Sequence, residues 1–120
     1  MEFKIDSSRP VYQQIMGYIC QAVLSNTYPP GSRIPSVRDL AAEMKVNPKT
    51  IQRAMTELEQ QGLLISNGTL GKSVTNDLTV VNTMRQASIR AAVDECRAKF
   101  HALGLSMEEA AQLLLQNEEV

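Results

Sequence analysis

The sequence predicts a mainly α-helical chain, with three helices and a two-stranded hairpin in residues 1–76 followed by a two-helix tail in residues 77–120. Apolar side chains recur at three- and four-residue steps in five separate stretches, the spacing that stacks them on one face of a helix. Proline, glycine and asparagine stand between those stretches, where helices start and stop. A single segment, 63–75, has strand character on both sides of a turn-rich run.

In the first helix Val11, Ile15, Tyr18, Ile19, Ala22 and Val23 form the apolar face, and Pro10 suits the first helical position. Tyr28-Pro29-Pro30-Gly31 breaks the pattern, so the helix is expected to end near Thr27. Ser36 can cap a short second helix over 36–44, with Asp39 favouring its positive end and Val37, Leu40, Ala41 and Met44 facing inward. Lys45-Val46 connects tightly to Asn47-Pro48, an N-cap followed by a proline at home in a first turn. Ile51, Ala54, Met55 and Leu58 are the buried stripe of a third helix that stops at Gly62. Leu63-Leu64-Ile65 and Ser73-Val74-Thr75 flank Ser66 to Lys72 as a hairpin, with Asn67-Gly68 near the start of its turn. Beyond Asn76, Val81, Met84, Ala92, Cys96, Phe100 and Leu103 mark one long helix ending at Gly104. Ser106-Met107-Glu108-Glu109 is a capping-box pattern opening a last short helix lined by Met107, Ala110, Ala111 and Leu114.

Apolar residues are 43% of the chain and charged residues 21%, a balance that excludes intrinsic disorder. No window approaches the roughly 18 consecutive apolar residues of a membrane span, and Met1 to Asp6 lack the pattern of a secretory leader, so a cytoplasmic protein with no membrane partner is expected. Cys20 and Cys96 stand far apart with no Cys or His at ligand spacing. Reduced, buried thiols are the plain reading and a redox-sensing pair the sharper one. His101 belongs to no catalytic or metal constellation and reads as a solvated residue near a helix end. The chain is therefore expected to be no enzyme and to need no metal or cofactor.

Net charge is −1, but it is unevenly spread. Residues 1–76 carry eight basic and six acidic side chains, whereas residues 77–120, including Glu118 and Glu119, carry four basic and seven acidic. A mildly basic front suits contact with phosphates, and the acidic tail suits another task.

Three helices followed by a hairpin is the element order of a winged helix-turn-helix, in which the second of two short helices enters the DNA major groove. Its exposed first turns carry Asn47, Lys49, Thr50, Gln52 and Arg53. Asn and Gln can bond adenine in a bidentate way, Arg and Lys suit guanine or phosphate, and Thr suits thymine or the backbone. Lys49 and Arg53 are a like-charge pair one turn apart, a repulsion of about 0.2 to 0.5 kcal/mol that a phosphate would relieve. The plain alternative is a solvated helix face, with the winged helix serving as a protein-interaction module that binds no DNA.

The segment Pro29-Pro30-Gly31-Ser32-Arg33-Ile34-Pro35-Ser36-Val37-Arg38-Asp39-Leu40-Ala41, then Val46 to Ala54 and Leu58-Glu59-Gln60-Gln61-Gly62-Leu63, resembles the signature of GntR-type transcriptional regulators over residues 10–76. The resemblance implies that Arg38 contacts DNA together with the start of the third helix, that Ser36 bonds a phosphate besides capping, and that Thr50 faces the DNA. It also implies a wing whose turn carries glycines like Gly68 and Gly71 and reaches the minor groove, with Asn67, Gly68 and Lys72 as its candidate contacts. The chain departs from the family pattern in two places. Asn47-Pro48 replaces a hydroxyl residue and an arginine, so a contact from position 48 is lost. Ser66-Asn67 stands where a basic strand is common, in a wing about one residue longer than usual, and leaves Lys72 as the wing's remaining charge.

Only 44 residues follow Asn76, too few for a large effector-binding domain, and the short helical tail resembles the YtrA-like subfamily, whose tails dimerise the protein. Met84, Cys96, Phe100, Leu103 and Leu114 are the expected dimer contacts. Packing of the tail's apolar stripe on its own winged helix is the alternative. Taken together, the expectation is a homodimeric, sequence-specific regulator that binds a double-stranded, inverted-repeat operator, acting as a repressor of a transporter-type operon. Any small-molecule effector would sit at the subunit interface.

Overall fold

The computed structural model describes residues 3–116; Glu2, Glu118 and Glu119, which enter the charge balance above, lie outside them. In chain order the elements are α1 (Val11–Leu24), α2 (Val37–Met44), α3 (Pro48–Gln60), β1 (Leu64–Ser66), a single 3-10 turn at Gly68–Leu70, β2 (Lys72–Val74), α4 (Leu78–Ala102) and α5 (Met107–Leu115). The architecture is the predicted one, mainly α with an antiparallel two-stranded sheet, and the chain divides into two compact units at Thr83/Met84.

In the first unit Ile15 and Ile19 of α1, Leu40 of α2, Ile51 and Leu58 of α3, and Leu63 and Leu64 around β1 are fully buried. Each such side chain removed from water contributes about 1.5 to 3 kcal/mol, which is what holds α3 against α1 and α2. Pro10 caps α1 with extended ψ 133° and lies just outside the helix, one place earlier than predicted. The helix ends at Leu24, short of Thr27, because Asn26 turns left-handed at φ 65° and the Tyr28 N–H reaches back to the Ala22 carbonyl at 3.0 Å. Gln14 is a buried polar residue on this helix, and its carboxamide is satisfied by the preceding arm. It accepts from the Asp6 N–H at 2.7 Å and donates to the Asp6 and Arg9 carbonyls at 2.6 and 3.0 Å.

The third helix closes as predicted at Gly62, whose φ of 84° suits a residue without Cβ. Its N–H and that of Leu63 return to the Glu59 and Leu58 carbonyls, the paired bonds of a Schellman stop. β1 and β2 pair antiparallel with Leu64 opposite Val74 and Ser66 opposite Lys72. Asn67-Gly68 does not make the tight two-residue turn that the dipeptide favours. The loop closes instead through the Asn67 N–H to the Gly71 carbonyl at 2.8 Å, around the 3-10 turn.

From sequence, Tyr28 to Gly31 reads only as a break after α1. In the structure Gly31 to Ile34 runs along the other edge of β2. The Gly31 N–H bonds the Val74 carbonyl, the Val74 N–H the Ser32 carbonyl, and the Ile34 N–H the Lys72 carbonyl, at 2.9, 2.9 and 3.0 Å. Prolines on both sides hid this pairing, since only Ile34 carries a strand-like buried side chain.

α4 runs for 25 residues, about 37 Å at 1.5 Å per residue. Of its predicted stripe only Val81 is buried; Met84, Cys96 and Phe100 are half-buried, and Ala92 and Leu103 are exposed. In the second unit α5 offers nine residues, of which Ala110 alone is buried. Gly104, at φ 79°, ends α4 with the same paired bonds, from Gly104 to His101 and Leu105 to Phe100, both 3.0 Å. The capping box of α5 forms as predicted. Ser106 Oγ accepts from the Glu109 N–H and Glu109 Oε1 from the Ser106 N–H, both 3.1 Å, which holds the Glu109 carboxyl below its ordinary range.

Candidate nucleic-acid interface

Ser36, Arg38, Asn47, Lys49, Gln52 and Arg53 are all exposed, and Thr50 is half-buried. The local sequence explains how they are presented. Ser36 Oγ accepts from the Asp39 N–H at 3.0 Å, which leaves its hydroxyl proton to donate outward. Lys45 takes a left-handed conformation, φ 58° and ψ 49°, which turns the chain sharply between α2 and α3. Asn47 Oδ1 accepts from the Lys49 N–H at 2.9 Å, so the cap takes one lone pair of that oxygen and leaves the amide NH2 unengaged.

Among the described residues the ion pairs are Arg9–Asp6, Lys72–Glu59 and Lys99–Glu95. Arg38, Lys49 and Arg53 have no carboxylate partner there. Three exposed cations on α2 and α3, none paired with a carboxylate, suit contact with an anion.

Lys49, Thr50 and Arg53 come together with Pro10, Val11 and Tyr12 around an open concavity of about 600 Å³. Tyr12 was missed from sequence. It begins a half-buried row with Met16, Cys20 and Leu24 beside the fully buried stripe of α1, and nothing in that spacing marks it from sequence as a partner of α3. The guanidinium of Arg53 lies over its ring, 3.7 Å from the centroid.

The wing residues are placed differently. Asn67 Nδ2 donates to Ser73 Oγ at 3.0 Å across the hairpin, and Gly68 is exposed at φ 64°. Lys72, predicted as the wing's contact with DNA, has its Nζ bonded to Glu59 Oε2 of α3, and this pair pins the wing to the helix.

Within the second unit, Cys96, Phe100 and Leu114 line an apolar groove of about 290 Å³ between α4 and α5, with Arg97 at its edge. Leu103 lies outside that lining and is 76% exposed. Neither cysteine is in a disulfide, and both are only partly buried rather than fully so. Burial pushes the Cys20 thiol up to about 11, which keeps it protonated and unreactive near neutrality. His101 is exposed in the last turn of α4. Among the described residues there is no cluster of metal-ligating side chains, and no helix is long and apolar enough to cross a membrane.

Residues 11–74 match the family described as bacterial regulatory proteins, gntR family. The uncharacterized HTH-type transcriptional regulator YhcF of Bacillus subtilis is 31% identical over 91% of this chain and 90% of its own length. The HTH-type transcriptional repressor YtrA of the same organism is 29% identical over 86% and 80%. The structure of a GntR family transcriptional regulator from Listeria monocytogenes superposes at a TM-score of 0.85 with 31% identity, covering 95% of this chain and all of that one.

Proposed function

Because the chain belongs to the gntR family of bacterial regulatory proteins, and is a DNA-binding transcription regulator rather than an enzyme, we propose that it represses a transporter-type operon by binding an inverted-repeat operator as a homodimer in the cytoplasm. Residues 1–76 bind the operator and residues 77–120 hold the two subunits together. The observation that carries the DNA-binding surface is that Arg38, Lys49 and Arg53, exposed on α2 and α3, have no carboxylate partner among the described residues. Ser36 and Arg38 contact phosphates, and Asn47, Thr50 and Gln52 face base edges, one side chain each, across the first turns of α3. Asn67 and Gly68 form the wing's contact, while Lys72 takes part only when it leaves Glu59. A relative named as a repressor supports repression, and the transporter operon rests on the resemblance to YtrA-like regulators.

Dimerisation is supported by a 25-residue helix with Val81 its one buried residue and by Leu103 and Leu114 at 76% and 66% exposure. A helix that buries so little of itself gains little from tertiary packing, and a second copy is the natural cover for its apolar residues. Met84, Cys96, Phe100, Leu103 and Leu114 are the contacts. A two-fold dimer sets half-site centres about 10 base pairs apart or a multiple of that. An effector, where one acts, binds between the subunits.

The test is binding to the DNA upstream of the chain's own gene across a salt series. The logarithm of affinity should fall with log salt at about 0.9 per phosphate neutralised, and Arg38→Ala or Lys49→Ala should flatten the line. In sedimentation at tens of micromolar the full chain should run as a dimer and the Phe100→Glu, Leu114→Glu variant as a monomer. Salt-independent binding, or a monomeric parent, overturns the corresponding half of the proposal.

A further inference from the structure

The contact between Arg53 and Tyr12 joins two elements that the DNA-reading role of α3 does not by itself require to meet. The guanidinium carbon is 3.7 Å from the ring centroid, well inside the roughly 6 Å at which a ring face holds a cation. The Tyr12 hydroxyl accepts from the Gln13 side-chain amide at 3.3 Å. Stacking occupies a face of the guanidinium and leaves its edge donors free for a planar or tetrahedral oxyanion. Lys49, one turn before Arg53 on α3, lines the same concavity with the Thr50 side chain, and no acidic residue lines it. Two cations one turn apart repel each other unless an anion lies between them. An arginine that reads a base edge, by contrast, has to extend from its helix into the groove, away from an aromatic ring on another helix.

We propose that Tyr12 is a positioning residue of the DNA interface, holding Arg53 on the α1 side of α3 so that Arg53 and Lys49 grip one backbone phosphate rather than a base edge. The inference rests on the DNA-binding reading above and deepens it: it extends the interface to the start of α1 and moves Arg53 from reading sequence to fixing register. Phosphate contacts of this kind position a protein on the duplex without discriminating bases.

The experiment measures fluorescence anisotropy with the upstream duplex and a set of single-base-pair variants, over a salt series. It compares the full-length parent with Arg53→Ala, Tyr12→Leu, Tyr12→Phe, the Tyr12→Leu/Arg53→Ala double variant and Arg38→Ala, at a temperature where circular dichroism shows all of them folded. Arg53→Ala should flatten the salt slope, by up to about 0.9 because Lys49 still partly neutralises the shared phosphate, and weaken every duplex by the same factor. Tyr12→Leu should weaken binding about two- to five-fold. Tyr12→Phe, which keeps the ring, should bind as the parent does, and the double variant should be no weaker than Arg53→Ala alone. A merely structural tyrosine would not move the salt slope or couple to Arg53. The proposal is overturned if Arg53→Ala relaxes preference at one base pair with the slope intact, if Tyr12→Phe loses as much as Tyr12→Leu, or if the two losses add. Should Arg38→Ala weaken binding while the Tyr12 and Arg53 variants do not, this inference fails and the DNA-binding reading stands. If the parent itself shows no salt-dependent binding, the reading beneath it fails.

Discussion

Replacing Asn47 separates the cap it forms at the start of α3 from the base contact proposed for it. Its Oδ1 accepts from the Lys49 N–H at 2.9 Å, and its own backbone carbonyl accepts from Thr50 and Ile51 at 2.9 and 3.3 Å. Pro48 has no N–H, so the cap completes the first turn. Removing it with Asn47→Ala leaves the Lys49 N–H to water and should cost about 1 kcal/mol. In a unit of this size that lowers the melting temperature by roughly 4 to 8 °C. Asn47→Ser and Asn47→Asp both keep an acceptor, and the aspartate adds a favourable charge at the helix N-terminus worth about 0.3 to 1 kcal/mol, so both should melt at or above the parent. On DNA the order changes. With one lone pair of its oxygen on the cap, Asn47 keeps its NH2 donors unengaged, so losing them in Asn47→Ser should cost at the low end of a base contact, about 1 kcal/mol or five-fold in affinity. Asn47→Asp should bind more weakly still, because a carboxylate then faces the phosphates. Thermal melts by circular dichroism and anisotropy titrations give the two rankings. Unchanged melting of Asn47→Ala would refute the cap, and parental affinity in Asn47→Asp would refute the placement of Asn47 at the DNA.

Three further outcomes are expected. Gly31→Ala should destabilise the first unit by about 2 kcal/mol in urea melts, since its φ of 78° is left-handed and an added Cβ would sit 2.6 Å from Asn76 Oδ1; adding Asn76→Ala should recover the steric part and not the backbone part. Glu59→Gln should cost less than about 1 kcal/mol, because the pair is partly exposed, and should release Lys72. A steeper salt slope, by about 0.9, then shows that the wing lysine reaches a phosphate, and an unchanged slope shows that it serves only to pin the wing. Cys20 has a folded-state pKa raised from 9.0 to about 11 by burial, so its contribution to stability is full below pH 9 and is lost as pH rises towards 11. The stability difference between parent and Cys20→Ala should therefore shrink over that window, and alkylation of Cys20 at pH 8 should be slow.

Where the signals were local, the sequence was legible. Ser36, Asn47 and Ser106 capped the helices they were expected to cap, and Gly62 and Gly104 closed α3 and α4, because a cap or a left-handed stop depends on residues only two to four places away. The exposed face of α3 was legible for the same reason, since its apolar stripe leaves one side to solvent.

The sequence by itself determined the order and type of the helices, the hairpin, and which side chains α3 presents. Only the tertiary structure decided that Gly31 to Ile34 completes the sheet on β2, that Glu59 engages Lys72, and that Tyr12 carries Arg53. Each joins segments that periodicity treats as independent, and each depends on how the helices and the sheet pack, which no short window of residues contains.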